Sequence, residues 1–271
     1  MSLALASTIA RAVRDTGGRA LIVGGWGRDR VRGRPSKDID LEVFGVPQEQ
    51  LAALLQQFGR VEAVGQSFPV YKVIAQGEGG KGTAEDESGT PEDESGKREG
   101  ALDVALPRRE SKSGRGHKGF HVVGDPLMTI EEAARRRDFT INAISWDPLT
   151  DAYEDPFNGR ADLDRRVLRA VDLRTFGEDS LRVLRAVQFA ARFEFTLDDA
   201  TATLCRTIAL DDLPPERVWT EVEKLLLAAE LPSIGLALAL DLGVVDTILP
   251  ELKPLVGCEQ EPDWHPEGDV W

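Results

Sequence analysis

The segment that most restricts the fold is Asp38-Ile39-Asp40-Leu41-Glu42-Val43, where acidic and apolar side chains alternate without a break. A period of two fits a strand and no helix. It puts Ile39, Leu41 and Val43 on a face to be buried and Asp38, Asp40 and Glu42 together on the other. Carboxylates two residues apart on a strand stand about 7 Å apart, near enough to share divalent cations. A second run, Ala101–Leu106, turns Leu102, Val104 and Leu106 to one side and Asp103 to the other, which makes Asp103 the candidate third carboxylate on a neighbouring strand. A pair of Mg²⁺ ions about 4 Å apart, held there, could activate a hydroxyl and stabilise a leaving pyrophosphate.

Around these runs the patterns change along the chain. Leu3, Ala6, Ile9, Ala10 and Val13 recur at helical spacing, so the start reads as an ordinary first helix to about Thr16. Ala20–Val23 reads as a strand, Gly24-Gly25 as the opening of a short helix to about Val31, Asp38–Phe44 as a strand and Pro47–Phe58 as a helix. Val70–Ala75 and Ala101–Leu106 are further strands, separated by residues 77–100. That insert lacks large apolar side chains and carries EDESG twice, so it reads as a mobile acidic hairpin tip without chemistry of its own. After Asp155 strand patterns end, and Phe176–Phe193, Asp198–Ile208, Pro215–Ala229 and Pro232–Leu242 read as successive helices. Leu181, Leu184, Val187 and Phe189 supply the apolar positions of the first. The fold class expected is α+β: a mixed-sheet head, then an all-helical neck and body.

Charge is segregated along the chain. The net of −14 includes −13 over residues 193–271 and −5 over the insert, whereas the front two-thirds are rich in Arg. A protein binding nucleic acid is therefore not excluded, and the acidic last third reads most simply as a solvated surface. No apolar run approaches the roughly 20 residues of a membrane span. Cys205 and Cys258 have no pairing or metal-ligand spacing, which fits a reducing cytoplasm.

The Asp-x-Asp pair taken alone also occurs as a solvated strand face, and in sugar-nucleotide transferases, where it binds a metal diphosphate. Gly24 and Gly25 narrow the choice. They follow a hydrophobic strand and open a helix, where backbone N–H groups can approach a phosphate, and Arg28 one turn on can reach the same triphosphate. A tight turn that merely needs glycine is the alternative. Gly24-Gly25-Trp26-Gly27-Arg28-Asp29 followed by Lys37-Asp38-Ile39-Asp40-Leu41-Glu42 resembles the head motif of the class II tRNA nucleotidyltransferase and bacterial poly(A) polymerase family. Arg136-Arg137-Asp138-Phe139-Thr140-Ile141-Asn142-Ala143 resembles its second signature. Glu178-Asp179-Ser180-Leu181-Arg182 is similar to its nucleotide-selecting motif, and Glu216-Arg217-Val218-Trp219 with Glu221, Glu223 and Lys224 to its structural neck motif. The four stand in the family's order, and together they are far more specific than any one.

The resemblance implies a nucleotidyltransferase head like that of DNA polymerase beta in residues 1–150, a helical neck in 151–212 and a helical body in 213–271. It implies an enzyme that adds CMP and AMP from CTP and ATP to the 3′ end of tRNA without a template, releasing pyrophosphate, with two Mg²⁺ ions held by Asp38 and Asp40. Asp103 joins them as catalytic carboxylate. Gly24, Gly25, Arg28 and Arg137 are expected to hold the triphosphate, and Asp138 with Asn142, a turn apart, the ribose. Asp179 and Arg182, three apart on a helix face, are expected to read the base edge in place of a template, with Arg185 in support; without the resemblance they would be a plain ion pair. Two departures stand out: Gly27 replaces a residue with better helix propensity, and Gln188 replaces an Arg. Arg108–Gly124, basic and glycine-rich, reads as a loop that in CCA-adding members helps reshape the pocket, or as a plain surface loop; His117 and His121 in it lack partners for a metal. His265-Pro266-Glu267-Gly268-Asp269 resembles the opening of an HD phosphohydrolase domain whose other ligands are absent, so the chain looks truncated. CC-only, A-only and poly(A) addition share these motifs, and a silent RNA-binding module or a sugar-nucleotide transferase are the rivals from other classes. No protein partner is indicated.

Overall fold

A computed structural model describes residues 2–34, 36, 38–65, 69–75, 101–112, 120–261, 263–266 and 268–271. The chain divides into two compact units, the first ending at Leu163 and the second running from Asp164 to Trp271. The acidic insert and His117 lie outside the described residues.

In the first unit, α1 (Ser2–Asp15) leads into β1 (Arg19–Val23), α2 (Gly25–Val31), β2 (Asp40–Phe44) and α3 (Gln48–Leu55). Then come β3 (Gly59–Val64), β4 (Val70–Ala75), β5 (Ala101–Ala105), the ribbon strands β6 (Arg108–Lys112) and β7 (Phe120–Gly124), and α4 (Ile130–Arg135). A 3-10 turn, Thr140–Asn142, precedes β8 (Ser145–Asp147), β9 (Ala152–Glu154) and α5 (Gly159–Arg165). Seven strands form one mixed sheet in the order β3-β4-β5-β2-β1-β8-β9. β2 and β5 run parallel, while β1–β2 and β4–β5 are antiparallel. β4 and β5, the strands on either side of the insert, are thus paired as the sequence led us to expect.

Alternation decides which face is buried. Leu41, Val43, Leu102 and Val104 turn toward α1 and α3, where Ile9, Ala10, Val13, Leu51 and Leu55 complete the core. Four α1 positions at helical spacing, Ala6, Ile9, Ala10 and Val13, are fully buried, while Leu3 remains exposed. The opposite face carries a smaller cluster of Leu21, Val23, Phe44, Met128 and Ala133, the last from α4. Thr129 and Glu132 form a capping box that fixes the start of α4.

In the second unit, β10 (Val167–Leu168) pairs in parallel with β11 (Thr196–Leu197) on either side of α6 (Leu181–Phe193). The expectation that strands end after Asp155 is corrected by this pair, each strand too short to register as a period. α7 (Asp199–Cys205), α8 (Pro215–Leu227), α9 (Pro232–Asp241) and α10 (Val244–Ile248) follow. Leu181, Leu184, Val187 and Phe189 are buried, as their spacing implies. The stretch Arg108–Gly124 is also corrected: around its undescribed middle it forms the antiparallel ribbon β6–β7, not a loop. Among the described residues no helix is long and apolar enough to cross a membrane.

Gly27 has a packing reason. A Cβ there would sit 2.4 Å from the Ile144 carbonyl oxygen, so α2 approaches the segment just before β8 only because the side chain is missing. Gly27→Ala gains roughly 1 kcal/mol of helix propensity, but the overlap with backbone costs more. We expect a net loss of about 1–3 kcal/mol, read from the urea midpoint; equal or greater stability would contradict this packing. Burial pushes the Cys205 thiol up to about 12, whereas Cys258 is exposed. At pH 8 a thiol reagent should therefore modify one cysteine per native chain, mapped by mass to Cys258, and both only after unfolding.

Candidate active site

The site is set by one row across three strands. Val23 of β1 pairs with Asp40 of β2, and Asp40 pairs with Asp103 of β5. Residues in register on neighbouring strands share a face and stand about 4.8 Å apart. Because β1 ends at Val23, the glycine turn begins beside Asp40: a Cβ on Gly24 would lie 3.6 Å from the Asp40 carboxylate. Gly24 has φ +76°, a conformation open to glycine at little steric cost.

A cavity of about 240 Å³ opens over this row, lined by Asp40, Glu42, Asp103, Arg108, Arg136 and Arg137 with Val23, Val70 and Ala105 among the apolar neighbours. Its volume is below the roughly 300–1,000 Å³ that encloses a whole small ligand. It suits a cation and phosphates better than a nucleotide base. Arg136 and Arg137 arrive because α4 packs Ala133 against Leu21, Val23 and Phe44, so the chain just past its end must cross the cavity, while Arg108 comes from the start of β6. Arg137 places Nη2 3.8 Å from the Glu42 carboxylate.

Asp38 lies outside the strand, is exposed and is not among the residues lining this cavity. Where β1 gives way to the glycine turn, the ladder on that side ends, and Asp40 is the first residue of β2. Among the described residues no group of three or more Asp, Glu, His or Cys is arranged to hold a metal ion. The donors that the structure brings together are the pair Asp40 and Asp103. Two carboxylates with room for phosphate oxygens fit Mg²⁺, which is commonly held by one or two carboxylates plus substrate phosphates.

Arg28 behaves differently from the expectation. It is 7% exposed, grips Asp29 through Nε and Nη2 at 2.8 and 2.9 Å, and donates from Nη1 to Asn142 Oδ1 at 2.7 Å. Asn142 in turn donates to Asp138 Oδ1 at 2.9 Å, an oxygen that also accepts from the Phe139 N–H. All three guanidinium nitrogens of Arg28 thus have protein partners. The residue is a strut that locks the Asp138–Asn142 pair to α2, and the guanidinium lies against Gly25.

In the second unit, Asp179 precedes α6 in extended backbone, so it does not share a helix face with Arg182. Its Oδ1 accepts from the Leu181 N–H at 3.2 Å, the short side chain turning the backbone into the helix from outside. Arg217 of α8 donates to its Oδ2 at 2.9 Å. Arg182 donates to the Thr175 carbonyl at 3.2 Å and lies 5.8 Å over the Phe176 ring. Arg185 lies over Phe189 and faces Glu221, a buried carboxylate of α8 held by Lys224 at 3.0 Å. Gln188 is buried and accepts from Arg192 at 3.2 Å.

Glu42, Arg108, Arg136 and Arg217 were absent from the sequence-derived site. Glu42 was signalled by its strand parity with Asp40 and Arg136 by adjacency to Arg137. Arg217 had no signal in spacing, because its partner lies 38 residues away.

Residues 20–169 match the model of the poly A polymerase head domain, and residues 194–256 match that of the probable RNA and SrmB-binding site of polymerase A. A multifunctional CCA protein of Stenotrophomonas maltophilia is 42% identical over 256 residues, covering 92% of this chain and 55% of that protein. The Bacillus stearothermophilus CCA-adding enzyme, solved in complex with CTP, superposes with a TM-score of 0.67 at 28% identity over 88% of this chain and 51% of that one. The Thermotoga maritima CCA-adding enzyme, solved with tRNA, gives 0.68 at 23% over 91% and 52%, a likeness of fold alone. The chain spans about half the length of the relatives it matches. Because the head-domain model covers residues 20–169, more than half of the sequence, the chain belongs to the poly A polymerase head-domain family.

Proposed function

We propose that this chain carries the catalytic part of a tRNA nucleotidyltransferase, adding CMP and AMP from CTP and ATP to the 3′ end of tRNA without a template. The observation that carries the reading is the register Val23–Asp40–Asp103, which sets two carboxylates beside a glycine turn under Arg137. It is supported by the CCA proteins and the CCA-adding enzyme among the relatives, the latter solved with CTP. Members of this family generally use divalent metals. Two Mg²⁺ ions are the finer reading, and a cytoplasmic location goes with a tRNA substrate.

Asp40 and Asp103 would hold the cations, with Asp38 contributing from its exposed position before β2. Divalent ions there would lower the barrier to attack by the RNA 3′-hydroxyl on the α-phosphate and stabilise the departing pyrophosphate. Gly24 and Gly25 admit the triphosphate close to the backbone at the start of α2. Arg137 faces the phosphates with the N–H donors that Glu42 does not engage. The Asp138–Asn142 pair, braced by Arg28, presents acceptor and donor groups to the ribose. Asp179, oriented by Arg217, offers carboxylate lone pairs to the amino groups that cytosine and adenine share, and Arg182 offers donors to the ring acceptor beside them. Arg185 supports α6 from the next turn.

Asp40→Ala should lower nucleotide incorporation by at least about a thousandfold while leaving nucleotide binding measurable by calorimetry. Undiminished incorporation would remove the metal assignment. Separate incubation with tRNA lacking its 3′ end and with each of CTP, ATP, UTP and GTP defines the product. Labelled C followed by A is the expected outcome, and long adenylate tails would move the assignment to poly(A) synthesis.

A further inference from the structure

The 3-10 turn Thr140–Asn142 carries Asn142 to the site on two backbone bonds of its own. The Asn142 N–H donates to the Phe139 carbonyl at 2.9 Å, and the Ala143 N–H to the Thr140 carbonyl at 3.1 Å. A single 3-10 turn has poorer hydrogen-bond geometry than an α-helix, so these bonds alone give it little rigidity. Helix α5 supplies what the turn lacks. Asp155 fixes the start of that helix, accepting from the Gly159 and Arg160 N–H groups at 2.7 and 3.0 Å. Gly159 then lies flat against the turn, since a Cβ there would stand 2.1 Å from the Thr140 carbonyl oxygen. Three residues on, Asp162 Oδ2 accepts from the Thr140 hydroxyl at 2.7 Å. Thr140 is 2% exposed and Asp162 1%, so this bond is shielded from water. Hydrogen bonds to an ionised acceptor are among the stronger ones in proteins. Neither residue has a part in the proposed reaction.

The turn matters because of what the Asn142 side chain does. Its Oδ1 accepts from Arg28, and its Nδ2 donates to Asp138 and carries a second N–H. Asn142 lines a narrow recess together with Gly24 and Arg137, so that amide sits beside the glycine turn. Its direction is set from two sides, by Arg28 of α2 and by the backbone of the turn that α5 holds. We infer that Thr140 and Asp162 are positioning residues for sugar recognition: their bond locks the turn onto α5, so that the Asn142 amide meets the 2′-hydroxyl of an incoming ribonucleotide. A recognising group has to be held to within about 0.5 Å of its productive place, which two 3-10 bonds do not provide. The inference rests on the proposed reading in taking a ribonucleoside triphosphate as the ligand, and adds the residues that make its sugar contact selective.

The test compares CTP with its 2′-deoxy form, each titrated calorimetrically with Mg²⁺ into the unaltered chain and its variants, so no turnover is required. The parent should bind CTP about five- to tenfold more tightly than the deoxy form, the scale of one hydrogen bond. Thr140→Val, which keeps the shape and removes the hydroxyl, should shrink that preference to about twofold or less while affinity for the deoxy form stays within about twofold of the parent. Thr140→Ser, which restores the hydroxyl, should restore the preference. Asn142→Ala should abolish it, and Thr140→Val in that background should add nothing, because the effect of Thr140 passes through Asn142. A preference that survives Thr140→Val, equal weakening of both nucleotides, or a further loss in the Asn142→Ala background overturns the inference. If Thr140→Val no longer folds, Thr140→Ala decides by the same ratio, since the space it leaves admits a water to Asp162. A parent that does not distinguish the two nucleotides strikes the ribose contact of the functional reading as well. A preference that the parent shows and Thr140→Val keeps strikes this inference alone.

Discussion

Everything at the candidate site depends on the register that aligns Val23, Asp40 and Asp103. β1 and β2 are antiparallel and β2 and β5 parallel, yet the three residues fall in one row, and the chain leaves the sheet at Gly24 beside that row. A slip of one residue in β2 would turn Asp40 and Glu42 into the hydrophobic layer and Leu41 into the cavity. The register is therefore held by the same burial that stabilises the unit: Leu41, Val43, Leu102 and Val104 have to meet the α1 and α3 side chains. Fold stability and carboxylate placement are one constraint, not two.

The opposite face of the sheet is only partly covered, and this makes room for chemistry. The cluster around Leu21, Phe44 and Ala133 anchors α4, and the anchoring delivers Arg136 and Arg137 to the cavity. Three arginines over three carboxylates form a field of mixed sign in which an anionic ligand and a cation can be held together. Arg28, buried and fully engaged, sits outside this exchange. Its three hydrogen-bonded nitrogens tie the Asp138–Asn142 pair to α2, the rigid presentation that the proposed ribose contact calls for.

How much of this could be read in the sequence follows from how local each determinant is. The strand face of Asp40, the parity of Asp103 and the glycine-led helix are properties of short windows, and the structure has them where alternation put them. Asp38 was read as a strand residue because alternation extends to it; the ladder stops at Asp40, where β1 turns away. Asp179 was read on a helix face because Phe176–Phe193 is periodic overall. Instead its side chain accepts from the Leu181 N–H and the helix starts after it. β6 and β7 were hidden because Arg108–Lys112 has no apolar face, so period-two analysis finds nothing there. Gly27 looked like a departure until the Ile144 carbonyl was seen 2.4 Å from where its Cβ would be. The bonds of Arg28 to Asn142 and of Arg217 to Asp179 join residues far apart in the chain, and no spacing rule reaches them.

The central claim is that Asp40 and Asp103 form the cation-holding floor of a nucleotide site. It is tested most directly by crystals grown with Mn²⁺ and a non-hydrolysable CTP analogue, with anomalous difference maps recorded at the manganese edge. The account predicts an anomalous peak within about 2.0–2.3 Å of carboxylate oxygens of both Asp40 and Asp103, with the analogue's phosphates between that peak and Arg137. Manganese bound elsewhere, with the analogue's phosphates away from the Gly24 turn, would contradict it.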